Sequence, residues 1–145
     1  MQTTDSTNRL DVTWWALRIL FGAVPIVAGL DKYFNILTNW ENYLNPLLPS
    51  LTHLSPLTIM HAVGIVEIAA GVIVFYRLVR PGAYIVMAWL ICIALNLLFM
   101  GRFLDVAVRD LGLAVAAFSL AQLSAVRVEE PWRIQVATSP AAAHS

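Results

Sequence analysis

Charged residues and cysteines are both scarce in this sequence, and each shortage excludes classes of protein. Asp, Glu, Lys and Arg make up 12% of the 145 residues, whereas soluble proteins carry about 25%. Nine basic and nine acidic residues give a net charge of zero, so the basic surface typical of nucleic-acid-binding proteins is missing. Cys92 is the only cysteine, which excludes an intramolecular disulfide and a Cys-x-x-Cys redox pair.

Residue sets that hold common cofactors are also missing. Of the three histidines, only His61 lies in a long apolar segment, whereas a haem held by two imidazoles needs two such histidines. No zinc-ligand spacing, phosphate-binding glycine loop or nucleophile elbow occurs. We therefore expect no haem, no metal and no catalytic residue acting alone, while a quinone or a lipid fits the composition as a bound molecule.

Apolar sequence is what the chain has in abundance, with 59% hydrophobic residues and a mean hydropathy of +0.73. A membrane-spanning helix needs about 20 mostly apolar residues. Four segments meet this requirement, and the last two connections are short enough to make neighbouring helices antiparallel. The sequence therefore predicts an all-α, polytopic membrane protein with an antiparallel four-helix bundle. Its predicted spans are about 13–34, 57–76, 81–101 and 104–125.

The distribution of basic residues predicts the orientation of these spans. With both termini in the cytoplasm, five arginines lie inside, while Lys32, Arg102 and Arg109 lie on or near the outer side, in agreement with the positive-inside rule. We expect a multi-pass protein of the inner cell membrane. Its predicted parts are a cytoplasmic N-terminus over 1–12, a membrane domain over 13–127 and a cytoplasmic tail over 128–145.

The connection 35–56 differs from an ordinary solvated loop. It contains three prolines, which disfavour a long helix, together with Trp40, Tyr43 and many leucines. We interpret it as an apolar cap in the outer membrane interface. Three roles fit this composition: a packed connector over the end of the bundle, a ligand lid, or a docking surface.

Glu67 is the most unusual residue of the chain, because no charged residue occurs in the 25 positions before it or the nine after it. A carboxyl group in the middle of a span is costly and indicates a functional site. Gly64 and Gly71 share its helix face, so this face should meet another helix. We expect Glu67 to be protonated or paired with an arginine, with Arg18 and Arg109 as the candidates.

Other polar residues are predicted to share one depth in the membrane, nearer to the outer surface than Glu67. Asp105 and Arg109 have the i,i+4 spacing of a local ion pair, which leaves Asp110 to find a partner in Lys32 or His61. Lys32 itself is expected to extend its amine to the interface. Together with Glu67, six residues form this polar group, namely Asp31, Lys32, His61, Asn96, Arg109 and Asp110. Three interpretations fit them: structural ion pairs, a pocket for a small ligand or quinone head group, or a proton path.

Glycines on the predicted helices suggest where helices pack. Small residues allow helix backbones to approach closely in membranes. The predicted packing positions are Gly22, Gly29, Gly64, Gly71 and Gly112.

Three sequence motifs resemble a known family. The first span ends in AGLDKYF, the second contains GIVEIAAGVIV and the fourth reads DVAVRDLGLAVAAFSLAQL. In these motifs the chain resembles the DoxX family of small four-helix membrane proteins (DoxX/DoxD/MauE-like). The resemblance implies the four-helix fold and a cell membrane, and its relatives include the membrane subunit of a thiosulfate:quinone oxidoreductase.

From these observations we expect a structural or accessory subunit of a larger membrane redox complex, surrounded by lipid and other membrane subunits. A quinone-linked oxidoreductase subunit is the alternative, with Glu67 handling protons and Arg109, Asp110 and His61 holding the head group. A small transporter or proton path is a weaker third interpretation, because the chain lacks the broken-helix pair of transporters.

Overall fold

The computed structural model describes residues 2–76 and 78–137. Their regular structure is helical throughout. The connection between the first two long helices contains a 3₁₀ turn, Trp40–Tyr43, and one short helix. The α-helices are α1 (Gln2–Phe34), α2 (Leu47–Thr52), α3 (Pro56–Phe75), α4 (Val79–Met100) and α5 (Leu104–Ala137).

Three of these helices are long and apolar enough to cross a membrane, namely α1 over Arg9–Phe34, α3 and α4. The predicted all-α class is thereby confirmed for the described residues, and three of the four predicted spans coincide with helices suited to a bilayer. The fourth long helix, α5, carries Asp105, Arg109 and Asp110 near its start and is not among the three.

The helices continue beyond the predicted limits of the membrane domain. α1 already begins at Gln2, and α5 continues through Pro131 to Ala137. The boundaries predicted at residues 12 and 128 are therefore not breaks in the helical backbone. The last part of the predicted tail, 138–145, lies outside the described residues.

Local sequence explains where the central helices begin and end. The Ser55 hydroxyl accepts a hydrogen bond from Thr58 N–H at 3.1 Å, and Pro56 occupies the first helical position of α3, which is where proline is favoured. α4 ends at Gly101, whose φ of 64° is the left-handed conformation that glycine adopts without strain. Short connections at Tyr76–Leu78 and Gly101–Phe103 then bring α3, α4 and α5 side by side.

Arg18 closes the other end of α3. From α1 its guanidinium donates to the carbonyl oxygens of Val74, Phe75 and Tyr76 at 3.3, 2.8 and 3.0 Å. These carbonyls belong to the last turn, where backbone acceptors lack partners within the helix. Arg18 therefore joins α1 to the C-terminus of α3, rather than serving as a partner of Glu67.

The long helices pack as two pairs. α1 packs chiefly on α3, forming the first helix pair, and α4 packs chiefly on α5, forming the second. Between the pairs lies a core that has Phe21, Val74, Val86 and Leu120 at its centre. At the end that contains Trp14, the Trp14 indole donates to Ser124 Oγ at 2.8 Å and links α1 to α5.

Four of the five predicted packing glycines form the contact between α1 and α3. A Cβ atom on Gly29 would lie 2.5 Å from the Gly64 carbonyl oxygen, and one on Gly71 would lie 2.5 Å from that of Gly22. Real Cβ atoms do not approach a backbone this closely, so each position requires glycine. Gly112 differs, since a Cβ there would meet no atom within 4 Å.

We predict opposite effects for alanine at two of these glycines. Gly29→Ala should lower the free energy of unfolding by about 1–3 kcal/mol, because the added methyl group forces the two backbones apart. Gly112→Ala, the matched control, should raise it by about 0.5–1 kcal/mol, since alanine is the better helix former. Denaturant titration of the protein in mixed micelles measures both. Changes in the same direction would contradict the tight α1–α3 contact.

Candidate functional site

The Glu67 side chain forms a buried ion pair with Lys32. The Lys32 Nζ atom lies 2.6 Å from Glu67 Oε2, and the two side chains are 4% and 8% exposed. Lys32 stands in the last turn of α1, and the glycine contact below it brings α1 close enough for its side chain to reach α3. The expectation that Lys32 extends to the interface is therefore wrong, as is the expectation of an arginine partner for Glu67.

Trp40 covers this ion pair from the connection between α1 and α3. The Lys32 Nζ atom lies 3.7 Å from the centre of the indole ring, which is a cation–π contact. The indole Nε1 donates to Asp31 Oδ2 at 2.7 Å. One tryptophan thus contacts the lysine with its face and the neighbouring aspartate with its edge.

Asp31 holds the start of that connection in place. Its carboxylate also accepts hydrogen bonds from the backbone N–H groups of Ile36 and Leu37, at 3.0 and 3.1 Å. Asn35, with a φ of 51°, ends α1 in the left-handed conformation, so the chain turns back over its own last turn. Asp31 is therefore buried with three N–H donors around its carboxylate, which suits its ionised form.

Asp110 reaches the same region from α5. It is 3% exposed, and its Oδ1 accepts from Arg109 Nε and Nη2 at 3.1 and 3.0 Å. The predicted Asp105–Arg109 pair is therefore wrong, because Arg109 bends to the adjacent aspartate. Asp110 also lies near enough to Lys32 and Glu67 for their charges to interact, but its ion-pair partner is Arg109, so the expectation that Lys32 is that partner is wrong.

Trp89 contributes an indole N–H from α4. Its Nε1 atom is buried and makes no hydrogen bond, although it lies beside the Glu67 carboxyl group. The Trp89 indole is close enough to the Glu67 carboxylate to interact with it, but the two groups do not have the geometry of a hydrogen bond. A buried donor without an acceptor is rare in proteins and calls for an explanation.

Asn96 and His61 do not join these residues. The Asn96 side chain donates to the Tyr43 carbonyl oxygen at 2.8 Å and so fastens the connection to α4. The His61 ring stacks on Tyr33 at 4.4 Å, and the Tyr33 hydroxyl donates to the His61 carbonyl oxygen at 3.0 Å. Both residues join structural elements at this end of the bundle, and the expectation that His61 serves Asp110 is wrong.

The connection itself packs on one side and is exposed on the other. Tyr43 stacks on Phe103 at 4.3 Å and Leu44 is buried, whereas Ile36 and Leu51 are among its exposed apolar residues. This geometry favours the packed connector over a free lid. Cys92 is exposed on α4 and does not contribute to the core.

We refer to Asp31, Lys32, Glu67, Asp110, Trp40 and Trp89 as the charge cluster. It joins both helix pairs, because α1 and α3 supply the ion pair while α4 and α5 supply Trp89 and Asp110. Its groups are suited to holding protons or to hydrogen-bonding a polar ligand. Among the described residues there is no group of three or more His, Cys, Asp or Glu side chains that could hold a metal ion.

Sequence reasoning did not place the two tryptophans in the site. Trp40 was assigned to an interfacial cap, and Trp89 was not singled out. The sequence signal for Trp40 is its position eight residues after Lys32, the only lysine of the chain, across a predicted turn. That signal is weak, because aromatic residues near membrane interfaces are common for other reasons.

Comparison of the chain with models of known families, with curated proteins and with solved structures finds no match. The resemblance to the DoxX family accordingly rests on the three sequence motifs alone. The features of the molecule that bear on function are the geometry of the charge cluster and the helix surfaces.

We predict that removing one partner of the Lys32–Glu67 ion pair lowers the free energy of unfolding much more than replacing both partners by apolar residues. Lys32→Met leaves Glu67 buried without its partner and should cost about 3–5 kcal/mol of unfolding free energy. Lys32→Met combined with Glu67→Met replaces both groups by apolar ones of similar volume and should recover most of that loss. Unfolding titrations in mixed micelles provide the comparison.

The control for this experiment is the exposed ion pair at the opposite end of the bundle. Asp11 Oδ1 lies 3.3 Å from Arg127 Nη2, and both side chains are well exposed. Asp11→Asn should therefore change the unfolding free energy by less than about 1 kcal/mol. Equal losses in the single and double Lys32 variants would show that packing, rather than charge pairing, accounts for the stability of the site.

Proposed function

We propose that this chain is an integral membrane subunit that serves as an accessory component of a larger membrane redox complex. All four long helices, α5 included, would span the bilayer, with both termini in the cytoplasm and the connection 35–55 on the outer side. The observation that carries the proposal is the outward face of α5, which is suited to a second protein rather than to lipid.

The exposed face of α5 has the composition of a helix–helix interface. Gly112 stands there with open space around it, and Val108 and Val115 beside it are 68% and 67% exposed. Positions 105, 108, 112, 115, 119 and 122 follow the alternating three- and four-residue spacing of a helix-packing seam. Ser119 and Gln122 continue it, and membrane helices associate through small and polar residues of this kind.

The outward faces of the other helices are different. α1 exposes Ile19, Val24 and Val27, and α4 exposes Leu95 and Phe99, all of which suit contact with acyl chains. Among the glycines within the described helices, only Gly112 of α5 lies on the outside. A Cβ atom on any of the other helix glycines would meet neighbouring atoms. A partner helix would therefore bind α5 most closely at Gly112.

Pairing of its charges supports a spanning position for α5. Arg109 neutralises Asp110 at 3.0 Å, and a paired charge is far less costly in a bilayer than an isolated one. Asp105 and Arg109 lie in the first two turns, where their side chains can reach the interface.

The orientation is supported by the basic residues, which are more numerous at the end formed by the chain termini. Support for a redox assembly comes from the resemblance to the DoxX family.

The test is co-purification of partner subunits with a variant of the proposed interface. Wild-type protein extracted in mild detergent should have a mass above that of one chain, with a membrane protein at fixed stoichiometry. Gly112→Leu should abolish this association by filling the space a partner helix needs, while its higher helix propensity preserves the fold.

The matched control is Ala69→Leu, which adds similar bulk at an exposed position of α3. Its association should equal that of the wild type. A wild-type chain that purifies as a lone monomer, or a Gly112→Leu variant that retains its partner, would refute the accessory role proposed for α5.

Trp89 favours quinone binding as a second candidate function. Its buried N–H makes no hydrogen bond among the described residues and lies beside the Glu67 carboxyl group, and a quinone carbonyl oxygen is a suitable acceptor for it. His61, which the sequence suggested for this role, is already engaged with Tyr33, so Trp89 takes its place in the proposal.

Binding of a short-chain ubiquinone to the protein in nanodiscs tests this candidate. Trp89→Phe removes one hydrogen bond and should weaken binding about fivefold, which corresponds to about 1 kcal/mol. Trp15→Phe, at an exposed tryptophan of α1, should leave the affinity unchanged. Absence of quinone binding by the wild type, or equal effects of both substitutions, would contradict it.

A further inference from the structure

We infer that the charge cluster is a proton-binding site, in which the carboxyl groups of Glu67 and Asp110 together hold one proton while Lys32 remains charged. The inference rests on the bilayer position proposed above for α3 and α5. It assigns the cluster a ligand, the proton, and it does not depend on whether the chain has partner subunits.

Five charged groups meet in the charge cluster and at its border, where Arg109 binds Asp110. α1 contributes Asp31 and Lys32, α3 contributes Glu67, and α5 contributes Arg109 and Asp110. α4 and the connection contribute only the uncharged indoles of Trp89 and Trp40. Three carboxylates therefore face two cations, which leaves one negative charge in excess.

Burial makes this excess charge unfavourable. Asp31, Lys32, Glu67 and Asp110 are all 7% exposed or less, whereas the Arg109 side chain is 64% exposed and shares its charge with the surroundings. An uncompensated charge in an apolar interior is costly, and a group in this position takes up a proton instead. One bound proton makes the cluster neutral.

The hydrogen bonds indicate which carboxyl groups share the proton. Asp31 accepts from two backbone N–H groups and from the Trp40 indole, an arrangement that stabilises its anion. Glu67 and Asp110 each have a single charged partner, Lys32 and Arg109 respectively, and their negative charges repel each other. Repulsion between two carboxylates favours one proton shared by the pair.

The position of the pair gives this proton a structural role. Glu67 belongs to the first helix pair and Asp110 to the second, so a proton on either carboxyl group removes a repulsion between the two pairs. Trp40 covers the cluster on the side of the connection.

Infrared spectroscopy of the full-length protein in nanodiscs tests the inference. A protonated carboxylic acid has a C=O stretching band that a carboxylate lacks, and at pH 7 the wild type should show this band with the area of one group. Samples with ¹³C-labelled Asp or ¹³C-labelled Glu carboxyls assign the band without any substitution. Because each label marks every Asp or every Glu, these shifts identify the residue type, and the substitutions described next identify the residue.

Substitutions then test the charge count itself. Glu67→Gln and Asp110→Asn each remove the excess negative charge, so either one alone should abolish the band. Lys32→Met raises the excess to two, so the band should double in area. Asp105→Asn, which changes an exposed carboxyl of α5, should leave the band unchanged.

Two outcomes would overturn the inference. The first is a wild type without a protonated carboxyl band at pH 7, which would show that both ion pairs are fully ionised. The second is a band that persists in both Glu67→Gln and Asp110→Asn, which would place the proton elsewhere. Either outcome leaves the accessory-subunit proposal standing, because that proposal is tested by co-purification.

Discussion

The ion pair between Lys32 and Glu67 is the interaction on which the site depends. A separation of 2.6 Å between two buried side chains requires that α1 and α3 be held in a fixed register. The rest of the arrangement is organised around the buried amine, since Trp40 stacks on it and Asp31 positions Trp40. A buried ion pair contributes little net stability compared with apolar groups of similar volume, so stability alone does not account for its presence.

Close packing of glycines makes this ion pair feasible. Gly29 and Gly64 bring the backbones of α1 and α3 into contact, and a wider separation would place Glu67 beyond the reach of Lys32. The second helix pair adds Asp110 and Trp89 from the opposite side. The cluster is thus a point at which four helices and one connection share a small set of charges, which is why we assign it a proton rather than a rigid structural role alone.

Two surfaces have separate roles in the proposals. The charge cluster lies inside the bundle and concerns protons or a quinone, whereas the α5 face around Gly112 points outward and concerns a partner helix. Arg109 borders both, because its guanidinium binds Asp110 while most of its side chain is exposed. In the proposed assembly, a partner bound near Arg109 would alter the charge balance of Asp110.

Local sequence suffices to predict the helical class, the long apolar helices α1, α3 and α4, and the packing role of four glycines. These properties follow from local composition and helix periodicity, which neighbouring residues set without long-range contacts. Which charges pair depends on the tertiary structure. Lys32 pairs with Glu67, and Arg109 pairs with Asp110 rather than with Asp105. Helix rotation and the path of the connection determine such pairs, and a difference of about 100° between adjacent residues is enough to exchange one partner for another.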